Sequence, residues 1–175
     1  MWVVTSATSR SVRQPQSVTT DPVMPAPSFW SLALRDIPRP DFADVQVFPL
    51  PPGVPDDPAW WARSVFDVAS APLPVRALMT ARQGLVRLIG LEPTPRDAFD
   101  VDEVHADEAL IAQDERHLDF RAGIGVDRAN RLLRVTTTVR LHGWRGRVYF
   151  APVSLLHPAI TRAMALRAIR RAPRD

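Results

Sequence analysis

A histidine, a carboxylate and an arginine alternate with apolar residues in His117-Leu118-Asp119-Phe120-Arg121. On an extended strand this puts His117, Asp119 and Arg121 on one face and Leu118, Phe120, Ala122 and Ile124 on the other. Arg140, Arg147 and Tyr149, from the segments that follow, are expected to join the polar face. Imidazole, carboxylate and phenol can each hold or pass a proton, so this group is a candidate proton-transfer set. The plainer expectation is a solvated network on the convex side of a sheet, each cross-strand pair contributing a few tenths to ~1 kcal/mol. A convex surface excludes little water, whereas chemistry favours a concave site, and the network is the preferred reading.

The opposite face is greasy. On the next strand Leu133, Val135, Thr137, Val139 and Leu141 alternate with Arg134, Thr136, Thr138 and Arg140. A hairpin centred on Asp127 to Asn130 pairs Leu118 with Val139, Phe120 with Thr137, Asp119 with Thr138 and Arg121 with Thr136. A one-residue slip would turn every apolar side chain to the wrong side. Thr137 is then the one polar strand residue expected inside. Around it Phe120, Val135, Val139, Phe150 and, from helices, Trp61 and Ile160 make a candidate ligand-binding set. Such a lining orients an apolar or amphipathic small molecule by shape; a filled core is its plain alternative.

The remaining motifs carry little chemistry. There is no cysteine, which excludes disulfides and thiolate metal sites. His105, His117, His142 and His157 lack the close pairing of a metal centre, and neither metal nor cofactor is expected. Asp100, Asp102 and Glu103 read as an acidic loop. Gly123-Ile124-Gly125 lacks the third glycine and following helix of a dinucleotide fingerprint, and is read as a bend that lets a sheet curl. Neither Ser64 nor Ser154 sits in a nucleophile elbow. His157, beside Pro158 near a helix start, suits a capping or surface role.

All 22 basic residues are arginines, and they are unevenly placed. Glu92 to Asp119 holds ten acids against Arg96 and Arg116, a balance of −8, while Phe120 to Asp175 holds twelve arginines against Asp127 and Asp175, a balance of +10. Pairing of oppositely charged neighbouring strands accounts for this better than a nucleic-acid partner does. Nucleic-acid binding also wants aromatics interleaved with the arginines, and Trp144, Tyr149 and Phe150 are clustered in one expected hairpin. No apolar run approaches the ~18 residues of a membrane span, and no signal-peptide core follows the start, so a cytoplasmic location is expected.

These residues need elements to position them. Residues 1–27, rich in Ser, Thr, Pro and Gln, are expected to be a disordered tail, and 28–172 a single domain. Met24 is a candidate initiator. A strand is predicted over Ala43 to Phe48. A helix follows, capped by Asp57 with Pro58 at its first position and carrying Trp61, Val65 and Val68. A second helix carries Leu78, Ala81, Leu85 and Leu88. No proline lies between Arg96 and Ala151, leaving room for strands near 101–105, 109–113, 117–125, 132–141 and 146–151. A last helix starts at Ser154 with an apolar arc of Leu155, Leu156, Ala159, Ile160, Ala163 and Leu166. One arrangement that covers every apolar face at once is an α+β helix-grip fold, a curved antiparallel sheet wrapped around a long C-terminal helix.

Asp41 to Asp44, Trp61 to Phe66, His117 to Arg121, Val135 to Leu141 and Gly146 to Tyr149 together resemble a bacterial family called domain of unknown function 2867, over about residues 38–172. That family is similar to the START-like (polyketide cyclase and lipid-transfer) superfamily. The resemblance implies the same fold and a cavity for an apolar small molecule, and brings no catalytic residues. Three functions follow as expectations: a helix-grip module binding a small apolar or amphipathic ligand without covalent chemistry, a cyclase- or aromatase-type enzyme using the same cavity, or an interaction subunit using the polar convex face. Oligomeric state is left open by the sequence.

Overall fold

The computed structural model describes residues 30–67, 73, 75 and 99–174. The expected tail at 1–27 and the helix expected around Leu78 to Leu88 lie outside the described residues. Among the described residues the elements, in chain order, are α1 (Leu32–Asp36), β1 (Phe42–Pro49), α2 (Pro58–Val65), β2 (Glu103–His105), β3 (Glu108–Asp114), β4 (Leu118–Asp127), β5 (Leu132–Leu141) and α3 (Gly143–Arg171). The five strands form one sheet in the order β1-β5-β4-β3-β2, every pair antiparallel. With α3 laid across it, this is the α+β helix-grip arrangement.

Local chemistry explains the starts of the short elements. Asp57 caps α2, its carboxylate accepting from the Ala59 amide at 2.9 Å with Pro58 next in line, as the sequence predicts. In the β4–β5 turn Asp127 accepts from the Asn130 amide at 2.9 Å and from its side chain at 2.8 Å. These bonds hold the Asp127 carboxyl below its usual range, the Asn130 side chain having the largest effect. The turn then needs one more residue, Arg131, in the left-handed region at φ 52°. The loop therefore spans four residues, and Asp127 pairs with Leu132. That moves the register two residues from expectation: Leu118 faces Leu141, Asp119 faces Arg140, Phe120 faces Val139 and Arg121 faces Thr138. A shift of two leaves each side chain on its expected face.

One expectation is overturned. Gly146 to Ala151 is not a strand; it belongs to α3, which begins at Gly143 rather than Ser154 and contains Pro152 and Pro158. Gly146, Tyr149 and Phe150 are buried at helical spacing, and they bring the helix against the end of the sheet. A side chain at Gly146 would collide with the His117 carbonyl, so glycine is required for that approach. Each proline removes a backbone donor from the helix ladder. Near the first, the Ser154 hydroxyl donates to the Ala151 carbonyl at 2.9 Å; at the second, the Pro158 carbonyl accepts from the Gln46 side chain at 2.9 Å.

The main core lies between the sheet and the layer of α2 and α3. Trp61, Ala62 and Val65 meet Ile111, Ala122, Ile124, Leu133 and Val135 there, together with Met164, Ala165 and Ala168. A smaller cluster of Leu118, Val139, Tyr149 and Phe150 fills the end nearest the start of α3. Arg167 ties the helices together, donating to the Ser64 carbonyl at 2.8 Å with Asp67 at 3.8 Å. Burial lowers its guanidinium pKa, and Asp67 partly offsets the shift.

Candidate functional site

The two core clusters meet along a seam on the concave face, and Phe120 packs against both. Val135 belongs to one cluster and Val139 to the other, and Thr137 lies between them, 1% exposed. Its partner on β4 is Ala122, a short side chain, and its partner on β1 is Asp44. Beside Asp44, Gln46 stands opposite Val135 on the same face. From the helix side come His157 and Thr161, whose side chains approach to 3.3 Å.

Strand β1 has an inverted pattern. Phe42, Asp44, Gln46 and Phe48 point towards α3, while Ala43, Val45 and Val47 point outwards, the two valines 43% and 53% exposed. Two polar groups are thus turned inwards at the cost of exposing two apolar ones. Gln46 donates to Asp44 at 2.8 Å and to the Pro158 carbonyl at 2.9 Å, stitching β1 to α3. The His157 ring stands edge-on to Phe42 with centroids 5.4 Å apart. Burial pushes its pKa below the usual imidazole value, and the nearby Asp44 carboxylate opposes the shift. The neutral imidazole, able to donate from one nitrogen and accept at the other, is therefore favoured.

The residues of the expected ligand-binding set are spread over α2, β4, β5 and α3. Trp61 is fully buried in α2, its indole donating to the Pro55 carbonyl at 2.7 Å and stacking edge-on with Trp60 at 4.8 Å. Val135 and Val139 are buried on β5 and Phe150 on α3, while Ile160 packs against the main core from α3. Phe120 also faces Phe66 and Phe99, with centroids 6.5 and 6.4 Å away. Thr137 is not the one polar strand residue on this face, since Asp44 and Gln46 share it. His157 has no capping role; α3 starts fourteen residues earlier, and the ring turns towards β1.

The structure divides the expected convex network into separate groups. His117 is buried at 4% exposed, its Nε2 3.2 Å from Glu115 and its ring edge-on to Tyr149 at 4.9 Å. Tyr149 reaches it from α3, not from a strand, and is 3% exposed. The expectation of a solvated His117 therefore fails, because the first turns of α3 cover it. Asp119 stays near the surface, opposite Arg140 and 2.9 Å from His142 Nε2. Arg121 pairs with Asp114 at 2.7 Å and with Asp36 of α1 at 3.2 Å. Arg147 is exposed on α3, away from the sheet's convex face.

That outer face is also partly roofed, by α1. Glu108, fully buried, accepts from the Ser31 hydroxyl at 2.6 Å and the Leu32 amide at 2.9 Å, with Arg134 at 3.6 Å. Thr138 donates to the Ala33 carbonyl at 3.0 Å. Gly123 leaves room for Glu108 and Ser31, and Gly125 leaves room for Arg134. The two glycines are clearances for these side chains. Acid–base pairing across β3, β4 and β5 uses part of the charge asymmetry, as Glu108–Arg134 and Arg121–Asp114. Of the acidic loop, Glu103 pairs with Arg35 at 2.8 Å, and Asp102 accepts from the Ala112 amide at 2.6 Å.

The chain belongs to a family of proteins of unknown function, DUF2867, which it matches over residues 37–164. The match runs from just before β1 into α3 and includes every seam residue. No curated protein and no solved structure matches the chain. Among the described residues, no helix is long and apolar enough to cross a membrane.

Proposed function

For this member of the DUF2867 family, we propose a helix-grip binding module that takes a small amphipathic molecule between the sheet and α3. The apolar part of the ligand lies along Phe120, Val135, Val139, Phe150 and Ile160, and its polar end meets Thr137, Asp44 and His157. The inverted alternation of β1 carries this reading. A strand serving only a filled core would turn Val45 and Val47 inwards and Asp44 and Gln46 to water. The resemblance to START-like proteins read in the sequence, which implies a cavity for an apolar small molecule, agrees with it by analogy. Binding here needs no covalent step and no cofactor. Native mass spectrometry of freshly purified protein, followed by solvent extraction, tests the proposal. A stoichiometric amphiphile supports it; a bare chain that also binds no amphiphile added back defeats it.

A cyclase-type enzyme is the second reading, favoured by one observation: His157 and Asp44 provide a titratable pair turned towards the interior. A neutral imidazole near a carboxylate can accept a proton from a bound substrate and return it. Turnover that is lost in His157→Gln while binding persists would distinguish it from passive binding.

A further inference from the structure

The two faces of α3 differ. Its inner face packs on the sheet, but its outer face from Trp144 to Ala159 carries an apolar ridge. Trp144, Val148 and Leu155 lie along one side of the helix and are 69%, 58% and 82% exposed, with Leu156 beside them at 43%. Ala151, Pro152 and Ala159, all exposed, fill the gaps. Single exposed apolar residues are ordinary, whereas a continuous line along four turns of helix marks a contact surface.

The charge around the ridge selects the contact. Arg145 and Arg147, both exposed, fall on its two flanks, and exposed Arg162 closes its far end. The Arg145 guanidinium lies 5.6 Å from the Trp144 ring. Residues 143–171 contain no Asp or Glu. Asp119, near the start of the helix, is engaged by His142. A second copy of this chain would bring arginine against arginine along the ridge. An acidic peptide would need a groove, and this surface is a convex rib. An apolar ridge bordered by arginines, led by a tryptophan, has the chemistry of a helix lying in a lipid interface.

We propose that the outer face of α3, from Trp144 to Arg162, docks on an anionic lipid surface, with Trp144, Val148 and Leu155 entering the acyl boundary and Arg145, Arg147 and Arg162 meeting headgroup phosphates. The helix lies on the bilayer and does not cross it. Docking there leaves the seam on the opposite side of α3.

The chain has no cysteine, which permits a direct test. Ala159→Cys on the ridge and Arg128→Cys in the β4–β5 turn are each labelled in the full chain with an environment-sensitive dye. They are mixed with vesicles of phosphatidylcholine, alone or with phosphatidylglycerol. The expected result is a blue shift at position 159 only, with the mixed vesicles only, reversed by high salt. Arg145→Ala and Arg147→Ala should each weaken vesicle co-sedimentation by about fivefold, and Leu155→Glu should abolish it, with circular dichroism unchanged. Equal response to both vesicle types, no response, or a label buried by self-association without lipid would each overturn the proposal. Because the label reports the outer face, loss of amphiphile binding at the seam leaves this result unaffected.

Discussion

Asp44 of β1 and Thr137 of β5 stand directly opposite each other on the face of the sheet that α3 covers. The pair joins the edge strand of the sheet to its buried neighbour, where an apolar pair would serve a filled core better. Thr137 is 1% exposed, Asp44 half-buried, and His157 approaches from the helix. The polar line follows the seam between two apolar clusters, the place where a ligand's head would need partners.

His157 gives the fold a pH signature. The unfolded imidazole takes up a proton near its ordinary value of about 6.5, whereas the folded one does so only at lower pH. The unfolded state therefore binds more protons as pH falls below about 6.5, and stability declines from there down through the folded pKa. Denaturant unfolding at a series of pH values should show this decline. His157→Gln should flatten it, leaving the carboxylate-driven loss at lower pH.

Gly146→Ala is expected to destabilise the protein by ~1–3 kcal/mol, because the new methyl group would meet the His117 carbonyl. The start of α3 would be pushed from the sheet, opening the Tyr149–His117 contact. Thermal unfolding reads the loss, and Tyr149 ring signals in NMR would show where it falls.

Glu108→Ala should cost ~3–5 kcal/mol, since it strips a buried carboxylate from the Ser31 hydroxyl, the Leu32 amide and Arg134. Glu108→Gln keeps the shape and should cost less. Hydrogen exchange of the α1 amides should rise most in the alanine variant, with β4 and β5 affected less.

Arg167→Met should loosen α2 from α3, because it removes the donor to the Ser64 carbonyl while keeping much of the apolar stem. A loss of ~1–2 kcal/mol in chemical denaturation is expected.

Strict alternation made β4 and β5 legible from Leu118 to Leu141, and the faces survived a two-residue error in the turn. The Asp57–Pro58 start of α2 was legible for the same local reason. The first third of α3 was not. Val148, Tyr149 and Phe150 have strand propensities, and two prolines follow, so helical burial from Gly146 to Val153 was hidden beneath them. The i, i+3, i+4 spacing of Gly146, Tyr149 and Phe150 was the available signal. Asp44 and Gln46 were missed because β1 inverts the usual rule, in which polar residues of an edge strand face water. Ser31 and Glu108 lie 77 positions apart, and no local pattern joins them.

The most direct test of the seam is a backbone-amide NMR titration with n-decanoic acid. Saturable shifts at Ala122, Thr137, Val139 and His157, weakened by His157→Gln, are the predicted result. Shifts confined to Trp144, Val148 and Leu155, or none anywhere, would contradict it.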